Sequence, residues 1–101
     1  MGKLVRDYIP EIIPAEKSHL FRFTTLAEPE YGERLKAKLL EEIGEYLEAE
    51  NIEELADVYE VLEAIIKLKQ FDLEEVKQAQ QQKRIKRGGF EKRLLMEDQA
   101  L

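Results

Sequence analysis

The chain has 101 residues, of which 44% are hydrophobic and 38% are charged, a composition typical of one small helix-rich domain, here residues 1–101, and not of a disordered chain. Its formal net charge of −6 excludes a general nucleic-acid-binding protein, because contact with a phosphate backbone requires basic surface. The absence of cysteine excludes disulfides and thiolate metal sites. No apolar run reaches the ~20 residues of a membrane span, and "MGKLVRDYIP" lacks the apolar core of a signal peptide. We therefore expect a cytoplasmic protein with no membrane partner.

The N-terminal region is predicted to be largely irregular. Pro10 and Pro14 exclude one long helix over residues 1–19, which leaves turns and a short helical piece. The following segment "HLFRFTTLA" alternates partly with period two, placing Phe21 and Phe23 on one face, and predicts a short strand. The segment "KRLLME" near the C-terminus is its candidate partner in a minor β pairing.

Two adjacent helices are predicted in the middle of the chain. Pro29 suits the first turn of a helix that runs to about Ala49. Asn51 is a candidate N-cap with Glu54 completing a capping box, and the second helix runs from about Ile52 to Lys69. The apolar stripe of the first helix has three-and-four spacing and consists of Leu35, Leu39, Ile43, Tyr46 and Leu47. The corresponding stripe of the second helix consists of Leu55, Val58, Tyr59, Leu62 and Ile66.

A third helix, "LEEVKQAQQQKRIKR", follows a second capping signal, Asp72 with Glu75, and ends at Gly88 and Gly89. The connection between the first two helices is very short, so we expect them to pack antiparallel as an αα-hairpin. The predicted fold class is therefore all-α, a hairpin plus a third helix, stabilised by self-association because a domain of this size buries only a modest fraction of its surface.

The stretch from Lys38 to Val61 contains nine carboxylates and one lysine. At about 100° per residue, Glu42 and Glu45 lie at the edge of the first apolar stripe, with Lys38 on the same flank. Glu54 and Asp57 lie beside the second stripe, in line with the apolar side chains of Val61, Ala64 and Leu68. An antiparallel hairpin can bring these two acidic pairs together near its closed end.

Converging carboxylates require a counter-charge, and a hard cation with oxygen ligands such as Mg²⁺ supplies one. Iron is disfavoured because the dinuclear iron bundles need a Glu-x-x-His motif, and the only histidine, His19, lies outside the cluster. Structural explanations remain open as well. The pair in the first helix suits an exposed surface, Glu54 suits a capping box, and Asp57 suits the positive end of a helix dipole.

The acidic blocks "EEIGE" and "EELADV" resemble the Glu-Glu-x-x-Glu … Glu-x-x-Asp signature of the all-α nucleoside triphosphate pyrophosphohydrolases, the MazG-like superfamily. The segments "KLVRDYIPEII", "KLLEE" and "KRGGF" look like a small subfamily within it, the phosphoribosyl-ATP pyrophosphohydrolase-like proteins. These blocks occur in the expected order and together span nearly the whole chain.

The resemblance implies a Mg²⁺-dependent helical enzyme, also served by Mn²⁺, that assembles as a homodimer or homotetramer of four-helix-bundle units. Such enzymes cleave a nucleoside triphosphate between its α and β phosphates, giving a monophosphate and pyrophosphate. The matching metal ligands are Glu42, Glu45, Glu54 and Asp57, and the catalytic residue that orients the attacking water is Glu41 or Glu45. The gap between Glu45 and Glu54 is shorter than in many members of the superfamily, which leaves little room for the loop elements that elsewhere select the base.

Basic residues are concentrated near the C-terminus, where "QKRIKRGGFEKR" carries six basic residues and one acidic residue. These residues are candidates for binding phosphate. Alternatively, they stabilise a helix C-terminus, where cations are favoured. Lys3 and Arg6 are phosphate-binding candidates mainly through the resemblance, and Asp7 offers Arg6 a simple surface ion pair instead. The complete predicted phosphate-binding set is Lys3, Arg6, Lys38, Lys83, Arg84, Lys86, Arg87, Gly88 and Gly89.

Two other functions remain open from the sequence. One is hydrolysis of phosphoribosyl-ATP, which requires the same chemistry on a larger substrate. The other is a non-catalytic acidic helical module that binds a partner protein through its amphipathic stripes.

Overall fold

The computed structural model describes residues 2–100, and within them it contains helices and no strands. The helices are α1 (Ile9–Ile12), a 3₁₀ helix (Ala15–Leu20), α2 (Glu30–Ala49), α3 (Ile52–Leu68) and α4 (Leu73–Arg87). The predicted all-α class is confirmed. None of these helices combines the length and apolar character needed to cross a membrane.

Two compact units make up the chain, Met1–Lys69 and Gln70–Leu101. The first unit contains the N-terminal region and the α2–α3 hairpin, and the second contains α4 and the segment that follows it. The single domain expected from the sequence stays a prediction.

The N-terminal region is broken into short helical pieces, as its two prolines predict. Pro10 lies in the first turn of α1, and Pro14 directly precedes the 3₁₀ helix. The predicted short strand is wrong, because residues 21–27 form no regular structure, and the segment "KRLLME" does not form a strand either. Phe21 and Phe23 are 56% and 44% exposed. Alternating side chains do not make a strand without a neighbouring strand to complete the hydrogen-bond ladder.

The α2–α3 hairpin begins and ends close to the predicted positions. Glu50 closes α2 with a left-handed backbone (φ +49°), donating its N–H to the carbonyl of Tyr46 over 2.7 Å. The Asn51 side chain then caps α3 by accepting a hydrogen bond from the Glu54 N–H at 2.9 Å. Because only two residues join the helices, α2 and α3 pack against each other as the predicted antiparallel hairpin.

Helix α4 has the predicted boundaries with one difference at its cap. The Asp72 side chain accepts a hydrogen bond from the N–H of Glu74 at 2.9 Å, not from Glu75. At the other end, Gly88 has a positive φ of +83° and donates its N–H to the carbonyl of Arg84 over 2.8 Å. The glycine stop is explained by this backbone angle, which side chains other than glycine rarely tolerate.

The hairpin buries only part of each predicted apolar stripe. The buried or half-buried members are Leu35, Leu39 and Tyr46 on α2 and Val58 and Ile66 on α3. Leu35 and Val61, at 2% and 7% exposure, are the buried apolar residues among residues 2–100, and Glu42 is buried beside them at 6%. Much of the predicted stripe is exposed, including Leu47 at 66% and Tyr59 at 63%. The hairpin therefore buries the side that carries acids, because one neighbouring helix can cover only part of a broad stripe.

Gly44 generates a stability prediction. It lies inside α2, and a Cβ built there would meet no atom within 4 Å. Alanine loses less backbone entropy than glycine in a helix, so we expect Gly44→Ala to raise the free energy of unfolding by about 1 kcal/mol. Urea denaturation of both proteins measures the difference. A loss of stability would mean that the open space at Gly44 is filled in solution.

Candidate metal site

Three carboxylates converge where α2 and α3 pack together. Glu42 projects from α2, Glu54 lies in the first turn of α3, and Asp57 lies one turn further along α3. One oxygen from each of these side chains lies within 4.8 Å of the others. Antiparallel packing produces this arrangement, because it sets the middle of α2 beside the start of α3.

The group contains buried oxygens that lack hydrogen bonds. The Oε2 atoms of Glu42 and Glu54 are both buried with no hydrogen-bond partner. Leaving a buried polar atom without a hydrogen bond lowers the free energy of unfolding by about 1–3 kcal/mol, and by more when the group is charged. The Glu54 carboxylate lies with those of Glu42 and Asp57. Its Oε2 atom therefore does not accept the hydrogen bond that would complete the capping box, the structural role that the sequence also allowed.

The donor set fits a hard divalent cation. All three groups are carboxylates, which Mg²⁺ and Ca²⁺ prefer as ligands. Opposite ligand oxygens of an octahedral Mg²⁺ lie about 4.2 Å apart, twice a bond length of 2.1 Å. The oxygens of Glu42, Glu54 and Asp57 are already grouped within 4.8 Å, so small side-chain movements suffice to bring them to that spacing.

Glu45, the fourth predicted ligand, lies outside this close group. Its side chain is exposed on the turn of α2 that follows Glu42. The negative charge of Glu42 is the main cause that raises the pKa of Glu45, with smaller contributions from Glu54 and Glu41. Glu45 is thus close enough to feel the group electrostatically, without sharing its closely spaced oxygens.

Basic side chains partly neutralise these acids. Lys38 Nζ lies 3.2 Å from Glu42 Oε1 and 3.3 Å from Glu41 Oε1. From the N-terminal region, Arg6 Nη2 donates to Asp57 Oδ1 at 2.6 Å, and Lys3 Nζ lies 3.5 Å from Glu41. The alternative pairing of Arg6 with Asp7 is not formed.

These contacts leave the site with excess negative charge. Burial lowers the pKa of Lys38, but the hydrogen bonds and charges of Glu42 and Glu41 outweigh it, so the pKa is raised and Lys38 stays protonated. Six acids, the close group with Glu41, Glu45 and Glu60, face three cations, Lys3, Arg6 and Lys38. The site therefore keeps a formal negative excess that a divalent cation would reduce.

A groove of about 790 Å³ opens beside the carboxylates. One wall comes from residues 4–12 of the N-terminal region, and the other comes from the α2–α3 hairpin. Glu42 and Asp57 line one part of it, together with Arg6 and Lys38. This volume lies in the range of small-molecule binding sites. The sequence did not predict the groove, because it depends on where an irregular segment crosses two helices.

The C-terminal basic residues belong to the second unit, where Lys83, Arg84, Lys86 and Arg87 occupy the exposed last turns of α4. Arg84 forms an ion pair with Glu91 beside Gly89. The pKa of Glu91 is lowered, first by its own backbone N–H and then by Arg84. Phosphate binding by these residues and by Gly88 and Gly89 stays a prediction.

Comparison with protein-family models, with curated proteins and with solved structures gives no match. Function is therefore inferred from the chemistry of the site and from the resemblance of its motifs.

The raised pKa of Glu45 predicts how stability depends on pH without metal. Its folded pKa lies above its ordinary value of 4.5, so ionised Glu45 lowers stability at neutral pH, and this loss disappears as the pH falls below the unfolded value. We expect Glu45→Gln to raise the free energy of unfolding at pH 7 and to change it much less at pH 4. Urea denaturation in a chelator tests this.

Glu48→Gln, which removes an exposed charge from the same helix, is the matched control and should have little effect at either pH. Lower stability of Glu45→Gln at pH 7 would contradict the repulsion inferred here.

Proposed function

We propose that the protein hydrolyses a nucleoside triphosphate between its α and β phosphates, with Mg²⁺ or Mn²⁺ as cofactor, to a nucleoside monophosphate and pyrophosphate. The grouping of the Glu42, Glu54 and Asp57 oxygens within 4.8 Å carries this proposal. The Oε2 atoms of Glu42 and Glu54 support it, because buried carboxylate oxygens that lack a hydrogen-bond partner are suited to coordinating a cation. The motifs that resemble MazG-like enzymes name the same residues.

The reaction needs charge neutralisation more than covalent chemistry. A divalent ion held by Glu42, Glu54 and Asp57 would supply positive charge to the phosphates and stabilise the charge that develops during displacement. Glu45, at the edge of the group, completes the proposed ligand set with a small change of side-chain conformation. Oxygen-only donors and the absence of histidine from the group favour Mg²⁺ or Mn²⁺ over iron.

The acids beside the metal ligands are placed to handle the proton of the attacking water. The water oxygen bonds to phosphorus, the bond to the oxygen that bridges the α and β phosphates breaks, and the proton passes to a carboxylate. Glu45 suits this role because it lies on the turn of α2 that follows Glu42 and is exposed to solvent, outside the close group of oxygens. Glu41, held by Lys3 and Lys38, is the alternative base.

The cations at the site are suited to binding phosphate. Arg6 and Lys38 already contact Asp57 and Glu42, two of the acids that would hold the metal, and Lys3 contacts the neighbouring Glu41. When a metal ion neutralises those carboxylates, the same side chains lie one contact away from the phosphates and from the departing pyrophosphate. Arginine binds such oxygens in pairs, which fixes the orientation of a phosphate as well as its charge.

Self-association as a homodimer or homotetramer belongs to the same proposal. The outward faces of the hairpin expose large apolar side chains, among them Leu40, Leu47, Ile52 and Tyr59, at 63–83%. A second hairpin packed on these faces would complete a four-helix bundle and bury them. Hydrolysis of phosphoribosyl-ATP is the alternative reaction, and it would use the same carboxylates. The proposed reaction, acting on free nucleotides, suits a cytoplasmic protein.

A binding module without catalysis is the second candidate function, and these exposed apolar faces favour it. The buried carboxylate oxygens without partners favour the enzyme over the binding module, since binding through the outer faces does not require them.

Metal binding is tested by thermal unfolding. At ten times its dissociation constant, a bound ion stabilises the folded state by about 1.4 kcal/mol, which raises the melting temperature by roughly 6–11 °C for a domain of this size. We expect Mg²⁺ and Mn²⁺ to produce this rise in the wild type, and Glu42→Gln and Asp57→Asn each to abolish it. Glu48→Gln, the exposed control on α2, should keep the full rise; a rise that survives loss of either ligand would place the metal elsewhere.

The products identify the reaction. With Mg²⁺ and a panel of ribo-, deoxy- and modified triphosphates, together with phosphoribosyl-ATP, we expect monophosphate and pyrophosphate, separated by ion-exchange chromatography. Asp57→Asn should lower kcat/KM by about 100-fold or more, the loss typical for removing an electrostatic contact in an active site. Diphosphate and inorganic phosphate as products would contradict cleavage between the α and β phosphates.

A further inference from the structure

The groove beside the carboxylates changes character along its length. Near Glu42 and Asp57 it is charged, with Arg6 and Lys38 beside them. Towards the start of α2 and the end of α3 most of its lining is apolar, with Glu63 and Lys67 as the charged residues there. The apolar lining consists of Tyr31, Leu35, Val61, Ala64, Leu68 and the N-terminal residue Ile12. One continuous site therefore joins a cation-binding end to an apolar end.

The two ends are separated by the length of a nucleotide held in line. Glu42 and Tyr31 are eleven residues apart on α2, and Asp57 and Leu68 are eleven residues apart on α3. At a rise of 1.5 Å per residue, each pair is separated by about 16 Å along its helix. The apolar end is thus within reach of the ribose and base of a triphosphate held at the carboxylates.

The lining also defines how a base would be recognised. Apart from the tyrosine hydroxyls, the side chains that line the groove are apolar or charged, with no serine, threonine, asparagine, glutamine or histidine among the described residues there. Hydrogen-bonding side chains usually distinguish one base edge from another, and those at this end, Glu63 and Lys67, are exposed to solvent. Apolar and aromatic walls instead reward the area that a base buries.

We propose that the apolar end of this groove binds the nucleobase of the substrate against Tyr31, Ala64 and Leu68, and that it prefers purines over pyrimidines through contact area. This inference rests on the proposed function for the position of the phosphates. It adds a base-binding site and a substrate class, purine nucleotides with little discrimination between adenine and guanine.

The test is equilibrium binding of adenosine, guanosine, cytidine and uridine monophosphates and of inorganic pyrophosphate to the full chain with Mg²⁺, by isothermal titration calorimetry. In the wild type, we expect the two purine monophosphates to bind about fivefold more tightly than the pyrimidine ones because of their larger buried area. Adenosine and guanosine monophosphates should differ from each other by less than that factor.

Two variants change the apolar end without touching a charge. Ala64→Leu adds bulk to the groove and should weaken purine monophosphate binding at least about tenfold, while Tyr31→Ala removes the aromatic wall and should abolish the preference for purines. Both should leave pyrophosphate binding within about twofold of wild type, since the cation-binding end is unchanged. Ala37→Leu and Phe71→Ala, at exposed positions outside the groove lining, are the matched controls and should behave as wild type.

Equal affinity for all four monophosphates, purine binding that is unaffected by Ala64→Leu, or no monophosphate binding at all would overturn the proposal. Purine binding that depends on Tyr31 in a protein that hydrolyses no triphosphate would overturn the catalytic proposal and keep this site. Triphosphate hydrolysis that is unchanged in both groove variants would keep the catalytic proposal and overturn this site.

Discussion

Mutual repulsion of carboxylates is the constraint on which the arrangement of this protein depends. Glu42, Glu54 and Asp57 hold their oxygens within 4.8 Å of one another on the face where two helices pack. Like charges at such distances in a partly dry site destabilise the fold unless cations compensate them. The hairpin carries this cost beside its small apolar core, and the proposed divalent cation would relieve it.

The N-terminal region supplies part of the compensation from within the chain. Arg6 contacts Asp57, Lys3 contacts Glu41, and the Arg34 side chain donates to the carbonyl of Gly2 at 2.8 Å. These contacts hold an otherwise irregular segment across the hairpin and so form the second wall of the groove. The same contacts therefore compensate the negative charge and form the groove. They connect the proposed metal chemistry with the proposed base site.

Local signals in the sequence predicted the helices, because caps and glycine stops act over a few residues. Asn51 and Gly88 placed their helix ends to within a residue. The acidic group also followed from local spacing, since Glu54 and Asp57 share one side of α3. Which part of each apolar stripe is buried did not follow, because one neighbouring helix covers only part of a broad stripe, as exposed Leu47 and Tyr59 show. The Arg6–Asp57 contact was also missed, since residues 51 positions apart leave no periodic signal.

Anomalous X-ray diffraction from crystals grown with Mn²⁺ tests the central claim most directly, because it locates the ion without depending on activity. The account predicts a peak within coordination distance of oxygens from Glu42, Glu54 and Asp57, with Arg6 no longer the closest cation to Asp57. Mn²⁺ bound only elsewhere, with Arg6 and Lys38 still paired to these carboxylates, would contradict it and show that the chain's own cations are the counter-charge for which the acids are placed.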